Sequence, residues 1–321
     1  MKVTIVIPNY NGANYLRSCL DSLKIQTFTD YEILMVDNCS QDESINLVER
    51  EFPNVLIEKL DQNYGFSKAV NEGIQLARGK YVVLLNSDTV ATANWLQQLV
   101  DCIEQDHNIF SCASKMLQYH NPTKIDDAGD WYSVLGWAYQ EGHGDSKELH
   151  NKTKEIFSSC AGAAIYKKEL FSNVGLFDEL FFAYLEDVDI GYRALLQGYK
   201  NIYCPDAHIY HIGSATSGGG YNSFKVRLSA RNNVYLPYKN MPNLQLLINL
   251  PFLLLGFLVK YLFFKRINLA DDYLDGFKEG LKTLNKVKRT KWEIRFSFNY
   301  VKIEYYLFAN TFKYILKKLI K

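Results

Sequence analysis

The amino-acid sequence predicts an α/β fold, with a mixed, mainly parallel sheet flanked by helices and a helical extension at the C-terminus. Two observations lead to this prediction. Short apolar runs alternate with helical patterns over the first ninety residues, which indicates βαβ units, and a basic, apolar region follows residue 235. Of the 321 residues 48% are hydrophobic and 22% are charged, which is enough for a full core.

The strands and helices of the first part alternate in a regular order. Strands are predicted at "VTIVIP", "YEILMVD", "VLIEKL" and "YVVLLN", and helices are predicted to end near Ile25 and to cover 43–52 and 66–78. Open parallel sheets place their functional loops beyond the carboxyl ends of the strands. Three of these ends are polar, namely Pro8-Asn9-Tyr10-Asn11, Asp37-Asn38-Cys39-Ser40 and Asn86-Ser87-Asp88.

Two carboxylates stand at this predicted edge of the sheet. Asp37 suits the imide of a base or a ribose hydroxyl, and Asp88 suits a metal, since Mg²⁺ is usually bound by carboxylate and phosphate oxygens. Together they indicate a nucleoside diphosphate held with Mg²⁺ or Mn²⁺. The alternative for each is helix capping, at the start of "SDTVATANWL" in the case of Asp88.

The absence of several nucleotide-binding motifs disfavours other classes of enzyme. The first turn, "PNYNGANY", lacks GxGxxG and any basic residue, and no GxxxxGK[ST] occurs. A dinucleotide oxidoreductase, a P-loop NTPase and a nucleotidyltransferase are therefore disfavoured, and no nucleic-acid partner is expected. The six cysteines form no CxxC pair and suit a reducing compartment, and no secretory pattern follows Met1, so the catalytic part is expected in the cytoplasm.

Three acids in "YLEDVDIGYR", Glu186, Asp187 and Asp189, follow an aromatic stretch. Mutual repulsion near apolar surface raises a carboxyl pKa, which suits a general base. A helix start also favours acids, and both readings can hold. Further on, a loop that runs from Gly213 and Ser214 to Gly218–Gly220 is expected to close over phosphates. It follows His211, although a lone histidine is more often structural.

Charge and hydropathy divide the chain near residue 220. Residues 1–220 carry 17 Lys+Arg against 29 Asp+Glu, and residues 221–321 carry 19 against 6. The uncharged run 240–259 reaches the length of a membrane span, but Pro251 and Gly256 interrupt it and both flanks are basic. A re-entrant or interfacial segment is preferred to a span, with a buried core helix as the third possibility.

The C-terminal stretch carries an apolar helical stripe and a basic remainder, the pattern of a helix that lies on an anionic membrane. Packing on the catalytic domain is the alternative. The stripe residues are Val301, Tyr305, Phe308, Phe312, Ile315 and Leu319, and the basic residues largely off the stripe are Lys302, Lys313, Lys317 and Lys321. A location at the cytoplasmic face of the cell membrane, peripheral or monotopic, is expected.

In their order, these blocks resemble glycosyltransferase family 2, the inverting nucleotide-sugar enzymes with a Rossmann-like GT-A fold. The resemblance covers roughly residues 1–235, including "VTIVIPNYNG", "ILMVDNCSQDES", "NYGFSKAVNEGI" and "HIYHIGSATS". It looks closest to the rhamnosyltransferase-like branch that builds bacterial surface polysaccharides. It implies a GT-A catalytic domain over 1–235, with a nucleotide-sugar half (1–110) and an acceptor half (111–235), followed by a helical, membrane-associated region over 236–321.

The resemblance also implies roles for individual residues. Asp187 would be the catalytic base, with Glu186 and Asp189 supporting it or binding acceptor, and Arg231 and Asn232 would contact phosphate or acceptor. Asp88 would ligate the metal, with His211 as a further metal or diphosphate ligand. The nucleotide-sugar pocket would comprise Pro8, Asn9, Tyr10, Asn11, Asp37, Asn38, Asn63, Gly65, Asn71, Asn86, Ser87 and Asp88.

Asn86 departs from the family pattern, because many members carry Asp at this first position of the DxD motif. One fewer charge weakens the expected affinity for metal. The favoured donor is dTDP-rhamnose, with UDP-hexoses second, and the acceptor is expected to be a lipid-linked saccharide at the membrane. An oligomer is compatible with the sequence, and a non-catalytic nucleotide-sugar-binding protein is the alternative function.

Overall fold

The computed structural model describes residues 1–213 and 220–320 of the protein. Ser214, Gly218 and Gly219 of the predicted phosphate-closing loop, and Lys321, lie outside the described residues. The strands are β1 (Val3–Asn9), β2 (Tyr31–Asp37), β3 (Leu56–Lys59), β4 (Tyr81–Leu85), β5 (Thr89–Ala91), β6 (Ile109–Gln118), β7 (Asn121–Asp127), β8 (Asp130–Tyr132), β9 (Ala138–Gln140), β10 (Lys154–Ile156), β11 (Ala163–Lys167) and β12 (Lys200–His211). The helices are α1 (Ala13–Lys24), α2 (Ser44–Glu51), α3 (Phe66–Leu76), α4 (Trp95–Ile103), α5 (Phe171–Val174), α6 (Glu186–Leu196), α7 (Ser223–Asn240), α8 (Asn243–Arg266), α9 (Ala270–Lys282) and α10 (Ser297–Ile320).

Within the described ranges, one mixed sheet of ten strands forms the centre of the molecule, in the order β10-β12-β6-β11-β4-β1-β2-β3, with β5 paired to β12 and β7 to β6. The pairs β1·β2, β1·β4 and β2·β3 are parallel, as the alternating pattern of the first ninety residues predicts. Strand β11 runs antiparallel between β4 and β6. The remaining two strands, β8 and β9, form a separate hairpin.

The first strand is apolar on both faces because both faces are covered. Ile5 and Ile7 pack into a core with α1, α2 and α4, and Val6 packs on the other side with α3 and α6. Strands buried on both faces read as continuous apolar runs, which is the pattern the sequence shows. Their polar carboxyl ends are thereby fixed at one edge of the sheet.

The helices after residue 235 share a hydrophobic core with the acceptor half. Phe296, Tyr300 and Leu307 are buried in the same cluster as Tyr132 and Tyr192. This face of α10 is opposite to the predicted stripe, whose six residues are all exposed. The alternative, packing on the catalytic domain, therefore holds for one face of the helix, and the other face leaves an apolar stripe exposed. Contact of that stripe with a membrane stays a prediction. The division into two domains stays a prediction.

Helix α8 is continuous through Pro251, so the expected interruption of the run 240–259 does not occur. At Gly256 the helix packs directly on another segment, since a Cβ there would lie 2.0 Å from the carbonyl oxygen of Leu135. In the described part of the chain, α8 is the one helix long and apolar enough to cross a membrane by length and composition. Only 11% of its most apolar window is buried, so it is not a core helix.

Candidate active site

A cavity of about 1360 Å³ lies at the carboxyl edge of β1, β2 and β4 and extends toward α6 and α10. Nine of the twelve predicted nucleotide-sugar residues line it, namely Pro8, Asn9, Tyr10, Asn38, Asn63, Gly65, Asn86, Ser87 and Asp88. Asn11, Asp37 and Asn71 are not among the lining residues. The structure thus brings most of the predicted donor site together around one space.

Asp37 lies behind the cavity wall and organises it. The register of β1 against β2 pairs Asn9 with Asp37, and Asp37 Oδ1 accepts a hydrogen bond from Asn9 Nδ2 at 2.9 Å. Asp37 Oδ2 accepts from the backbone N–H of Ser40, also at 2.9 Å. The loop after β2 is therefore folded onto the end of β1, so in this structure Asp37 shapes the wall and is only 1% exposed itself.

Hydrogen bonds from the side chains of Asn38 and Asn63 hold the loop before α3. Asn38 Nδ2 donates to Asn63 Oδ1 at 2.9 Å and to the Gly65 carbonyl at 3.1 Å, and Asn63 Oδ1 also accepts from the Gly65 N–H. Gly65 has φ +84°, and a Cβ there would lie 2.5 Å from the Phe182 carbonyl oxygen. Only glycine fits this left-handed, crowded position, where the donor and acceptor sides of the cavity touch.

Asn71 acts at a distance from the cavity. Its side chain donates to the Phe177 carbonyl at 2.8 Å and accepts from the Phe177 N–H at 3.0 Å. It thereby fixes α3 against the segment that leads to α6. Asn71 therefore positions the backbone near the cavity, and its implied place in the nucleotide-sugar pocket stays a prediction.

Asp88 and His211 meet although 123 positions separate them. The cause is the pairing of β5 with β12, which sets Thr89 opposite His211. His211 Nε2 lies 3.4 Å from Asp88 Oδ2, and His211 Nδ1 lies 2.7 Å from Asp126 Oδ2. Because β5 follows Asp88 and the next helix, α4, begins at Trp95, the alternative that Asp88 caps a helix is wrong.

This trio fits a divalent cation that shares its ligands with substrate. The Asp88 carboxylate and His211 Nε2 lie 3.4 Å apart, close enough to ligate the same cation. Asp126 contacts the other ring nitrogen, and metal-binding histidines usually have a carboxylate in that place. Burial alone lowers the pKa of His211, but Asp126 and Asp88 raise it to about 10, so the ring is protonated here and a bound cation would take the place of that proton. Across the described residues no group of three or more His, Cys, Asp or Glu has the arrangement of a complete metal site, so substrate oxygens would supply the remaining ligands.

Asp187 and Glu186 begin α6 and line the cavity. Burial raises the pKa of Asp187 to about 6, although its Oδ1 accepts a hydrogen bond from the Val188 N–H at 2.8 Å. Burial, followed by the charge of Asp187, raises the pKa of Glu186, whose Oε2 is buried with no hydrogen-bond partner among the described residues. A carboxyl that titrates near neutrality beside a substrate cavity is suited to accept a proton.

Asp189 differs from its two neighbours, because it points away from the cavity and is fully buried. It pairs with Arg193 and Lys239, each at 2.9 Å, and accepts from Asn240 Nδ2 at 2.8 Å. Burial alone would raise its pKa, but these cations lower it to about 2. The expectation that Asp189 binds acceptor is therefore not met; it ties α6 to α7 and supports Asp187 only through the helix.

Two acids that the sequence interpretation missed lie near Asp187. Asp130 lines the cavity, and Asp127 is buried next to it. Burial, together with the charge of Asp126, raises the pKa of Asp127 to about 7, and burial and the charge of Asp127 raise that of Asp130. The run "DDAGD" was the available signal, since three acids in five residues are unusual outside a solvated face.

The segment before α6 is held in an unusual backbone conformation. Phe182, Tyr184 and Leu185 all have positive φ, at 62°, 70° and 68°, which is costly for residues with a Cβ. Such a conformation persists only where surrounding contacts enforce it. It turns the chain sharply so that the first turn of α6 faces the cavity.

Arg231 and Asn232 supply those contacts. Asn232 Nδ2 lies 2.8 to 2.9 Å from the carbonyl oxygens of Phe181, Ala183 and Tyr184, and Arg231 Nη2 donates to the carbonyls of Leu180 and Phe181. Neither residue lines the cavity. The predicted contact of this pair with phosphate or acceptor is thus replaced by a structural role, because its donors are already used on the backbone.

Aromatic and basic side chains from outside the predicted catalytic part close the far wall of the cavity. The ring of Tyr314 in α10 lies 4.8 Å from the ring of Tyr139 in β9, tilted by 44°, and Tyr139 packs edge-on against Trp131 of β8. Lys317 and Lys318 of α10 also line the cavity, and Lys317 pairs with Asp145 at 2.8 Å. Sugar rings pack readily on aromatic faces, so this wall suits a saccharide with an anionic group.

Comparison with known proteins gives a consistent result. The family model described as Glycosyl transferase family 2 matches residues 4–175. An N-acetylglucosaminyl-diphospho-decaprenol L-rhamnosyltransferase of Mycobacterium tuberculosis is 25% identical over 248 residues, covering 67% of this chain and 77% of that protein. Glycosyltransferase GlyA of Streptococcus pneumoniae is 27% identical over 242 residues, covering 73% of this chain but only 29% of the pneumococcal protein.

Solved structures share the fold. Staphylococcus aureus TarS 1–349 in complex with UDP has a TM-score of 0.51 at 18% identity and covers 92% of this chain and 94% of its own. GalNAc-T7 with UDP, GalNAc and Mn²⁺ has a TM-score of 0.56 at 18% identity, over 71% of this chain and 48% of its own. The fold shared with these structures confirms the predicted GT-A fold.

Proposed function

Because this chain belongs to glycosyltransferase family 2, we propose that it is an inverting glycosyltransferase that moves a sugar from a nucleotide diphosphate to a saccharide acceptor. Rhamnose from dTDP-rhamnose is the favoured donor, supported by the name of the mycobacterial relative. A UDP-hexose is the second candidate for the donor, supported by the complex of TarS with UDP. The observation that carries the proposal is Asp187, a partly buried carboxyl with a pKa raised to about 6 on the wall of the donor cavity.

In the proposed reaction, an acceptor hydroxyl attacks the anomeric carbon and gives its proton to the Asp187 carboxylate. The bond from that carbon to the diphosphate oxygen breaks as the new glycosidic bond forms, and the nucleoside diphosphate leaves. A single displacement inverts the configuration. General-base assistance of this kind contributes about 10² to 10⁴ in rate. Burial of the Asp187 carboxyl raises its pKa and so helps it to hold the proton.

Asp88 and His211 would hold a divalent cation, Mg²⁺ or Mn²⁺, between them. Such a cation supplies positive charge against the departing diphosphate. Asn86, also on the cavity wall, adds a neutral amide where many relatives have a second acid. Asp126 accepts a hydrogen bond from His211 Nδ1–H and so orients the ring, with Nε2 on the side of Asp88.

The acceptor is proposed to be lipid-linked and to be reached at the cytoplasmic face of a membrane, where the protein is peripheral or monotopic. The exposed stripe of α10 and the exposed apolar residues of α8 support this. The two helices touch where Phe252 meets Phe308, with ring centroids 5.4 Å apart. The same helix α10 lines the catalytic cavity, so a membrane-bound sugar would arrive beside Tyr314 and Lys318.

A donor screen tests the proposal. Thermal unfolding of the full chain is followed with dTDP-rhamnose, UDP-glucose and UDP-N-acetylglucosamine, each with and without Mn²⁺, and released nucleoside diphosphate is measured in parallel. One donor is expected to protect and to be turned over slowly. Protection by a nucleotide sugar without hydrolysis or transfer would favour the non-catalytic binding protein, and no protection by any of them would contradict the proposal.

A further inference from the structure

A second cavity, of about 630 Å³, lies between α7, α8 and α9 and beside the loop that joins β8 to β9. We call it the α7–α9 groove. Its lining is almost wholly apolar, with leucines of α8 and the rings of Trp137, Phe257 and Phe277. A cavity with such walls holds water poorly and suits a hydrocarbon.

Two polar groups in the groove stand without an internal partner. Among the described residues that line the groove, one is charged, Lys260. Its ammonium has no hydrogen-bond or ion-pair partner in the described part of the chain. Asn233 Oδ1 is buried and likewise lacks a hydrogen bond there. An unpaired cation at an apolar site is costly, and an anion on the occupant would compensate for it.

The groove and the catalytic cavity share a wall. Trp137 lines the groove and Tyr314 lines the catalytic cavity, and their ring centroids are 5.7 Å apart. Trp137 Nε1 also donates to the Gly256 carbonyl at 3.1 Å. Lys260 follows Gly256 by four residues, one turn or about 6 Å along α8. The cation therefore lies near the end of the groove that adjoins the reaction centre.

The groove also adjoins the apolar outside of the molecule. Leu247, Leu250 and Leu254 line it and are themselves partly exposed, while Leu255 and Leu258 extend the apolar surface on the outer face of α8. A chain that leaves a bilayer could thus enter the groove without crossing polar surface. Its anionic end would then be directed toward Lys260 and the shared wall.

We propose that the α7–α9 groove binds the hydrocarbon chain of the acceptor lipid, with Lys260 against its phosphate and its sugar in the catalytic cavity. The inference rests on the proposed function and adds to it the place and the chemical class of the acceptor's anchor, an isoprenoid-like chain ending in phosphate. A hydrocarbon chain bound in the groove then fixes the distance between the acceptor hydroxyl and the Asp187 carboxylate.

Photolabelling of the full chain with a C15 isoprenyl diphosphate that carries a diazirine tests this directly. The label is expected on peptides of α7, α8 or α9. Unlabelled C15 isoprenyl diphosphate should compete, and inorganic diphosphate should not. Labelling outside these helices, or equal competition by phosphatidylglycerol micelles, would overturn the proposal; the latter result would make the groove a site for bulk membrane lipid.

Three variants sharpen the result. Leu253→Trp fills the groove and should lower labelling about tenfold, since a few displaced methylenes suffice for that factor. Lys260→Gln should lower it about fivefold, because about 1 kcal/mol of charge pairing is lost. Leu258→Trp adds the same ring on the outer face of α8 and should change labelling less than about twofold. Equal losses in both tryptophan variants would mean nonspecific adsorption and would refute the groove.

The two proposals can fail separately. If Leu253→Trp does not fold, the position of the photolabel in the peptides of the unsubstituted chain is sufficient to test the groove. Labelling of the groove in a protein that no nucleotide sugar protects would keep the groove and reject the glycosyltransferase activity. Protection by a donor, with no label in the groove, would keep the activity and reject the groove.

Discussion

The donor side and the acceptor side of the cavity are built in different ways. On the donor side Asn9 and Asp88 follow directly from parallel strands, whose positions are set by apolar residues packed on both faces. On the acceptor side Asp187 follows a strained turn that Asn232 of α7 holds, and Tyr314 of α10 closes the wall. Regular secondary structure thus places the groups that are proposed to bind donor, and tertiary contacts place the proposed base.

The largest expected effect on binding concerns the donor side. Asp88→Ala should remove the Mn²⁺-dependent part of the affinity for UDP or dTDP, about 100-fold, because loss of even outer-shell partners costs about 10 to 100-fold in metal affinity. Calorimetry with and without Mn²⁺ measures it. Asp61→Ala, an exposed acid in a nearby loop, is the matched control. Equal affinity for nucleotide in Asp88→Ala and unsubstituted protein would show that Asp88 holds no cation.

Asn232→Ala should act on the acceptor side alone. Without its donor the turn before α6 relaxes, and kcat is expected to fall about 30-fold while the affinity for nucleotide is retained, since a misplacement of about 1 Å can cost 10²-fold. The lost buried hydrogen bonds should also lower the free energy of unfolding by about 1–3 kcal/mol.

Asn249→Ala provides the control for that variant. Asn249 is equally buried and donates to Glu304 Oε2 at 2.9 Å, away from the cavity. It should lose similar stability with unchanged kcat. Similar rate losses in both variants would assign the effect to stability and contradict a positioning role for Asn232.

The pH profile tests the same side with a smaller effect. Because Asp187 must be ionised to accept a proton and its pKa is raised to about 6, kcat/KM should fall about tenfold per pH unit below 6 and level off above it. Rates in buffers from about pH 4.5 to 8 would show this. A flat profile between about pH 5 and 7 would assign the base to another group.

The smallest effect is expected outside the cavity. Phe312→Glu places a charge on the exposed stripe of α10 and should weaken sedimentation with phosphatidylglycerol vesicles about fivefold or more. Ile25→Glu changes an equally exposed apolar residue at the end of α1 and serves as control. If both variants bind vesicles as the unsubstituted protein does, the stripe is not a membrane contact.

The same contrast explains how much the sequence alone could predict. The strands β1, β2 and β4 and the helices between them agree with the alternating pattern, since each is encoded by its own local periodicity. Asp88 was identified because it ends such a strand. Its neighbour His211 was found through the family resemblance, and the pairing of β5 with β12 that joins them has no local signal.

Elsewhere the sequence interpretation missed what long-range contacts decide. Arg231 and Asn232 look like ligands for phosphate until their donors are seen to satisfy backbone carbonyls fifty residues away. Asp189 looks like its neighbours Glu186 and Asp187, yet helical rotation turns it inward to Arg193 and Lys239. Tyr314 and Lys318 were read only as part of a membrane helix, although one face of that helix completes the cavity.

The most direct test of the account is transfer by Asp187→Asn. The substitution keeps the size and the position of the side chain but removes its capacity to accept a proton. We predict that product formation from the donor found in the screen falls about 10³-fold, within the range for a general base, while calorimetry gives an unchanged affinity for nucleoside diphosphate. Turnover close to that of the unsubstituted protein would contradict the central claim that Asp187 is the base.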